Sequence, residues 1–146
     1  MITIYCKCRF KYEFYNMQIL RIGKAMWSHD YDLATLGLAN EAGALFAFTP
    51  PPHHYNGEII LTPKSIVLDG DSYEHIPLDS LEQLYLGFDE FYTRSMVRNA
   101  GMFWQPLRLR YKYKDEVKTI YLIIDHGFFG AKNQLWFNVL KQLLAR

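Results

Sequence analysis

Residues 131–146, AKNQLWFNVLKQLLAR, constrain the fold most tightly. Leu135, Trp136, Val139, Leu140, Leu143 and Leu144 recur every three to four residues, which puts them on one stripe of a helix. Lys132, Asn138, Lys141 and Gln142 take the opposite face. A stripe this apolar has to be covered, and the segments before it read as strands. The expectation is a mainly β fold: a barrel or sandwich of about seven antiparallel strands closed by one C-terminal helix.

Residues 2–15 alternate, with Ile2, Ile4, Cys6, Cys8, Phe10, Tyr12 and Phe14 on one side. The run exceeds the usual strand of about 5–6 residues. It is an added edge strand, a bent strand, an arm that pairs with another chain, or sequence upstream of a start at Met17. Residues 17–42 are mixed, and Asp32 can cap a helical turn through Leu33, Ala34, Leu36, Leu38 and Ala39. We therefore divide the chain into an N-terminal extension, 1–42, and a domain, 43–146.

From Ala44 the strands come quickly, at 44–48, 57–62, 65–69, 73–76 and 82–88. Pro63 and Lys64 make a tight turn that sets Leu61 opposite Ile66. Ile59, Leu61, Ile66 and Leu68 then share one face. A hairpin follows at 106–124, with Asp115 and Glu116 as its turn, Leu109 opposite Leu122, and Tyr111 opposite Ile120. Residues 125–130 form a loop into the final helix.

Composition narrows the classes. Half the residues are hydrophobic and 16% are aromatic, enough for a real core. The net charge of +1 lacks the strong field of a dedicated nucleic-acid binder. No run of about 20 apolar residues exists to span a membrane, and the N-terminus lacks the apolar core of a secretory signal. Cys6 and Cys8 on one strand would sit roughly 6.5–7 Å apart at Cα, poor disulfide geometry, so we read them as reduced thiols of a cytoplasmic protein.

Three stretches look like a known family. Residues 57–68, from Gly57 to Leu68, resemble the G-x-L-x-L-T-x-x-x-L hairpin of the pleckstrin-homology-like (PH-like) superfold, in particular its bacterial and GRAM-like branches. Residues 76–81, with Pro77, resemble its I-P-L-x-x-I corner, and residues 133–143 resemble its closing helix, with Trp136 at the usual aromatic position. The resemblance covers residues 43–146. It implies a bent seven-stranded barrel plugged at one end by the helix, with Gly57, Pro77 and Trp136 as structural positions. It implies lipid binding less strongly. Phosphoinositide-binding members carry a basic cluster around the first hairpin loop, whereas residues 50–56 contain no Lys or Arg and the 57–69 hairpin loop offers only Lys64.

Two stretches are candidates for function. Arg108, Arg110, Lys112 and Lys114 form a basic stripe, joined by Lys118 near the hairpin tip. It either meets lipid headgroups, phosphates or an acidic partner, or is a solvated strand face whose long side chains cover Tyr121 and Ile123. Residues 88–104 are longer than a normal hairpin loop and hold Phe91, Tyr92, Arg94, Met96, Arg98, Met102, Phe103 and Trp104. This loop either protrudes to grip a partner or a membrane, or folds back as a satellite core.

Chemistry is not signalled. His29, Asp30 and Asp32, like His53 and His54, read as loop polar residues rather than metal ligands. No nucleophile elbow, zinc-helix motif or phosphate-cradling loop occurs. Glu74–His75 and Asp125–His126 are sequence neighbours, which on a strand point to opposite faces. The expectation is a non-enzymatic interaction module without cofactor or metal, with a small-ligand carrier or enzyme using a barrel cavity as the last-ranked reading. Its partner is a protein or a second copy, with anionic phospholipid as the alternative and no nucleic acid.

Overall fold

The computed structural model describes residues 18–35 and 51–146. The alternating segment 2–15, both cysteines, the expected strand at 44–48 and the end of the expected helical turn lie outside the described residues.

Among the described residues, seven antiparallel strands make one curled half-barrel sheet. They are β1 (Arg21–His29), β2 (Tyr55–Leu61), β3 (Ser65–Gly70), β4 (Tyr73–Pro77), β5 (Leu81–Leu86), β6 (Leu107–Tyr113) and β7 (Glu116–Ile124). A short helix α1 (Asp30–Leu33) follows β1, and helix α2 (Asn133–Leu144) closes the chain. The sheet order is β4-β3-β2-β1-β7-β6-β5. Two meanders thus join side by side through β1 and β7, leaving β4 and β5 at the edges.

Residues 21–29, which lie within the expected N-terminal extension, form the central strand β1 and pair with β2 and β7. The alternation is hard to read because the inward positions Gly23 and Ala25 are small while Ile22 points outward. Space is tight at Gly23, where a Cβ would come within 3.2 Å of the Asp125 carboxylate and the Ile124 side chain. The helical turn also starts earlier than expected. Asp32 does not precede α1 as its cap; it sits in the first turn and accepts a hydrogen bond from the His29 backbone N–H at 3.0 Å.

The β2–β3 hairpin has the expected register, Leu61 opposite Ile66. Gly57 faces Gly70 across it, and a Cβ on either would collide with the opposite backbone. Pro77 ends β4 at a corner, where a 3-10 turn (Leu78–Ser80) leads into β5 and the Ser80 hydroxyl donates to the Pro77 carbonyl at 2.6 Å. The β6–β7 register differs from expectation by two residues. Leu107 faces Leu122, Leu109 faces Ile120, and Tyr111 faces Lys118. The turn is Lys114 and Asp115, with Lys114 in the left-handed region at φ 56°; it has the expected two-residue length but starts one residue earlier, which slides the return strand by two. A slip of two preserves the faces, so the inward residues are still those expected.

The main core fills the concave side. Trp27, Ile59, Leu61, Ile66, Leu68, Leu107, Leu109, Ile120 and Leu122 meet Trp136 and Leu140 of α2. The buried stripe of α2 differs from expectation at its margins: Leu135 and Leu144 are exposed, while Phe137 packs against the core beside Val139 and Leu143.

Candidate functional site

Leu86 pairs with Leu107, and Leu107 with Leu122. The loop from β5 to β6 and the loop from β7 to α2 therefore leave the sheet at the same end. Each has a polar anchor at its base and apolar side chains farther out.

Asp89 anchors the first loop. Its Oδ1 accepts from the backbone N–H groups of Phe91 (2.9 Å) and Tyr92 (2.8 Å). Its Oδ2 accepts from Arg108 Nη1 (2.7 Å) and the Tyr121 hydroxyl (2.6 Å). Burial pushes the Asp89 carboxyl up, but the bonds from Tyr121, Tyr92, Arg108 and Phe91 outweigh it and hold the carboxyl below its ordinary value. Tyr92 turns inward, stacks on Tyr121 at 5.8 Å and donates its hydroxyl to the Pro52 carbonyl at 3.0 Å. Desolvation raises its own pKa.

Half of the loop thus folds back. Tyr92, Met96 and Val97 bury against Leu33, Tyr121 and Ile123 on the convex face of the sheet, with Phe88 and Trp104 packed at the edge. The cover over Tyr121 and Ile123 is this loop rather than the long basic side chains. The other half points away. Asn99, Ala100 and Gly101 all have positive φ (56°, 49° and 70°), and this sharp turn delivers Met102 and Phe103 to solvent at 78% and 66% exposure. Phe91, Arg94 and Arg98 are also exposed.

The second loop supplies what the sequence reading passed over. Asp125 locks its base to β1: its Oδ1 accepts from the Lys24 N–H at 2.9 Å, and its own N–H donates to the Lys24 carbonyl at 2.7 Å. Gly127 and Gly130 then exchange backbone hydrogen bonds of 2.7 and 3.2 Å. Phe128 and Phe129 occupy the two corners of the turn, edge to face at 5.0 Å, and are 78% and 88% exposed. Turn corners normally carry polar residues or glycine. Two adjacent phenylalanines framed by two glycines were the available signal.

The loops touch. The Trp104 and His126 rings are 5.8 Å apart, the Arg98 guanidinium lies 5.8 Å from the Phe128 ring, and a Cβ on Gly130 would sit 3.1 Å from the Phe103 carbonyl oxygen. Met102, Phe103, Phe128 and Phe129 therefore form one apolar tip. Asn133, buried at the start of α2, fastens both bases. Its Oδ1 accepts from the Ile124 N–H (2.8 Å), and its Nδ2 donates to the carbonyls of Gln105 (2.7 Å) and Leu122 (3.1 Å).

The basic stripe is not brought together as a cationic face. Arg108 is committed to Asp89, donates to Gln83 Oε1 at 2.9 Å and lies 4.4 Å over the Tyr85 ring. Arg110 and Lys112 both approach Glu82, at 3.7 and 3.4 Å. Lys114 occupies the hairpin turn, and Lys118 lies opposite Tyr111 on the concave face, 4.3 Å over the Tyr113 ring. A groove of about 320 Å³ beside Arg108 and Arg110 also holds Asp30, Asp89 and Glu90, so it carries both signs of charge.

The remaining polar residues singled out in the sequence have structural neighbours. His29 Nε2 is 2.9 Å from Glu74 Oε1 across the concave face, and the His29 ring stacks on Tyr31 at 4.9 Å. That hydrogen bond to His29 holds the Glu74 carboxyl below its ordinary value. His54 Nδ1 lies 2.8 Å from the Ser28 hydroxyl, and His53 Nδ1 lies 2.8 Å from the Pro51 carbonyl oxygen. Among the described residues no helix is long and apolar enough to cross a membrane.

No protein-family model matches the chain, and no curated protein matches it. Among solved structures, the chain is similar to the C-terminal domain of an unknown protein from Leishmania infantum. The TM-score is 0.50 with 10% identity, covering 89% of this chain and 86% of that one. At that identity the likeness is one of fold alone.

Proposed function

We propose that the chain is a non-enzymatic, cytoplasmic interaction module of the PH-like kind, whose half-barrel serves as scaffold and whose apolar tip meets the partner. One observation carries this reading: four large apolar side chains stand mostly in solvent on two loops that the protein otherwise pins down. Contiguous exposed apolar surface of this kind marks an interaction site more often than scattered single residues do. Rigid bases lower the entropy lost when the tip is immobilised on a partner. The PH-like assignment draws support from the quoted motifs and from a curled seven-stranded sheet with one closing helix.

The partner is a protein, a second copy of the chain, or a lipid surface. A variant with serine at positions 102, 103, 128 and 129 tests the reading common to all three. In an extract of the native cells, fractionated by size and density, the wild-type chain is expected in a larger assembly or on membranes, and the variant as free monomer. Wild-type protein that runs as free monomer throughout contradicts the proposal.

A further inference from the structure

The composition around the tip narrows the partner class. Residues 93–104 and 126–132 contain no Asp or Glu, while they contain Arg94, Arg98 and Lys132. All three cations are exposed. Asp125, the nearest carboxylate in sequence, is held by the Lys24 N–H at the base of its loop. The two arginines lie against the aromatic rings of the same loops. Arg94 sits 4.9 Å over Phe88 and donates to the Ala100 carbonyl at 3.3 Å, and Arg98 lies 5.8 Å from Phe128. Apolar side chains are at the apex and cations are around it.

Resting on the reading of the tip as the docking surface, we propose that its partner is an anionic membrane, with Met102, Phe103, Phe128 and Phe129 inserted at the headgroup–acyl boundary and Arg94, Arg98 and Lys132 at headgroup level. A lipid interface accepts a small convex apolar apex with no matching shape on the other side, and anionic headgroups complement its cations. A stable protein interface buries about 800 Å² of matched surface on each partner, whereas insertion in a lipid interface needs no matched surface. Phenylalanine at the corners of a tight turn reaches outward without unfolding anything, so insertion requires no rearrangement of the half-barrel. The site is separate from the basic stripe, where Arg108 pairs with Asp89 and Arg110 and Lys112 approach Glu82.

Vesicle flotation of the full chain tests this, with phosphatidylcholine vesicles compared with vesicles in which about one-third of the lipid is phosphatidylserine. Binding is expected to the anionic vesicles and to weaken with salt. Phe128→Ser with Phe129→Ser should weaken it at least about tenfold through lost apolar burial. Arg94→Gln, at roughly 1 kcal/mol per cation, should weaken it about fivefold. Both variants should keep the wild-type thermal midpoint, which separates lost binding from lost folding. Trp104 borders the tip whereas Trp27 and Trp136 are in the core, so brominated acyl chains should quench part of the tryptophan emission. Failure of the wild type to float at low salt, or flotation that ignores the Phe128/Phe129 change, overturns the membrane assignment. If the tip instead holds a protein, the chain remains in a larger assembly in native extract after detergent has dissolved the membranes. That result removes the lipid inference and leaves the interaction reading standing. Free monomer in the extract together with no flotation removes both.

Discussion

Asn133 is the residue whose loss should separate the scaffold from the tip it carries. Asn133→Ala removes three hydrogen bonds, those with the Ile124 N–H and with the Gln105 and Leu122 carbonyls. Each is worth about 1 kcal/mol net, and a buried N–H left without an acceptor costs roughly 1–3 kcal/mol more. Part of that total is recovered by relaxation and by water, and we expect a loss of about 3 kcal/mol. Urea unfolding should show it as a lower midpoint at unchanged slope. Hydrogen exchange should speed up at Ile124, whose amide loses its acceptor. Asn133→Asp makes the sharper test. Its carboxylate can still accept from Ile124, but the second oxygen faces two carbonyl oxygens where an NH₂ group used to donate. The variant should therefore be at least as unstable at neutral pH. It should recover part of its stability on acidification, because the protonated carboxyl regains a donor and its folded-state pKa lies above the unfolded value. A loss under about 1 kcal/mol for Asn133→Ala, or an Asp variant equal to wild type at neutral pH, would refute the reasoning.

Asp89 has a folded-state pKa below its unfolded value, so its stabilisation is fully present above about pH 4 and is lost as pH falls through the folded value. Asp89→Asn should flatten the acid limb of stability against pH, destabilise by about 2–4 kcal/mol at neutral pH and quench the Tyr92–Tyr121 near-UV circular dichroism. Trp136→Ala should cost about 3–5 kcal/mol by chemical denaturation, since the indole is wholly buried in the main core. Gly57→Ala should lower stability by more than about 1 kcal/mol and disturb the Gly70 amide, because the added methyl meets the Asp69 carbonyl on the paired strand. Serine at Phe128 and Phe129 should leave stability within about 0.5 kcal/mol, as expected for exposed side chains outside either core.

Local periodicity made most of the sheet legible, and tertiary context decided the rest. The β2–β3 hairpin could be registered from sequence because Pro63 and Lys64 leave little choice of turn. β6 and β7 could be assigned to faces but not to register, because Lys114, Asp115 and Glu116 offer two turns a residue apart. β1 could not be read at all. Of its inward positions, Gly23 lies against Asp125 at the base of the second loop and Ala25 is small, so Trp27 is the one large apolar residue among the first four inward positions and the alternation that marks a strand is missing. The 88–104 loop was legible as a candidate but not as a mixture. Tyr92, Met96 and Met102 look alike in sequence, and only Asp89 pulling the chain inward and the left-handed turn at 99–101 sort them into core and tip. Phe128 and Phe129 were hidden for the opposite reason. The glycines that mark their segment as a connection are the same glycines that hold the phenylalanines outward.

Hydroxyl-radical footprinting, on the purified chain and again after the chain is returned to native cell extract with its membranes, tests the tip most directly. The account predicts protection of Met102, Phe103, Phe128 and Phe129 in the extract, while the exposed Tyr31 and Tyr113, remote from the tip, react as before. Equal reactivity of the four tip residues in both conditions, or protection confined to Tyr31 and Tyr113, would contradict it.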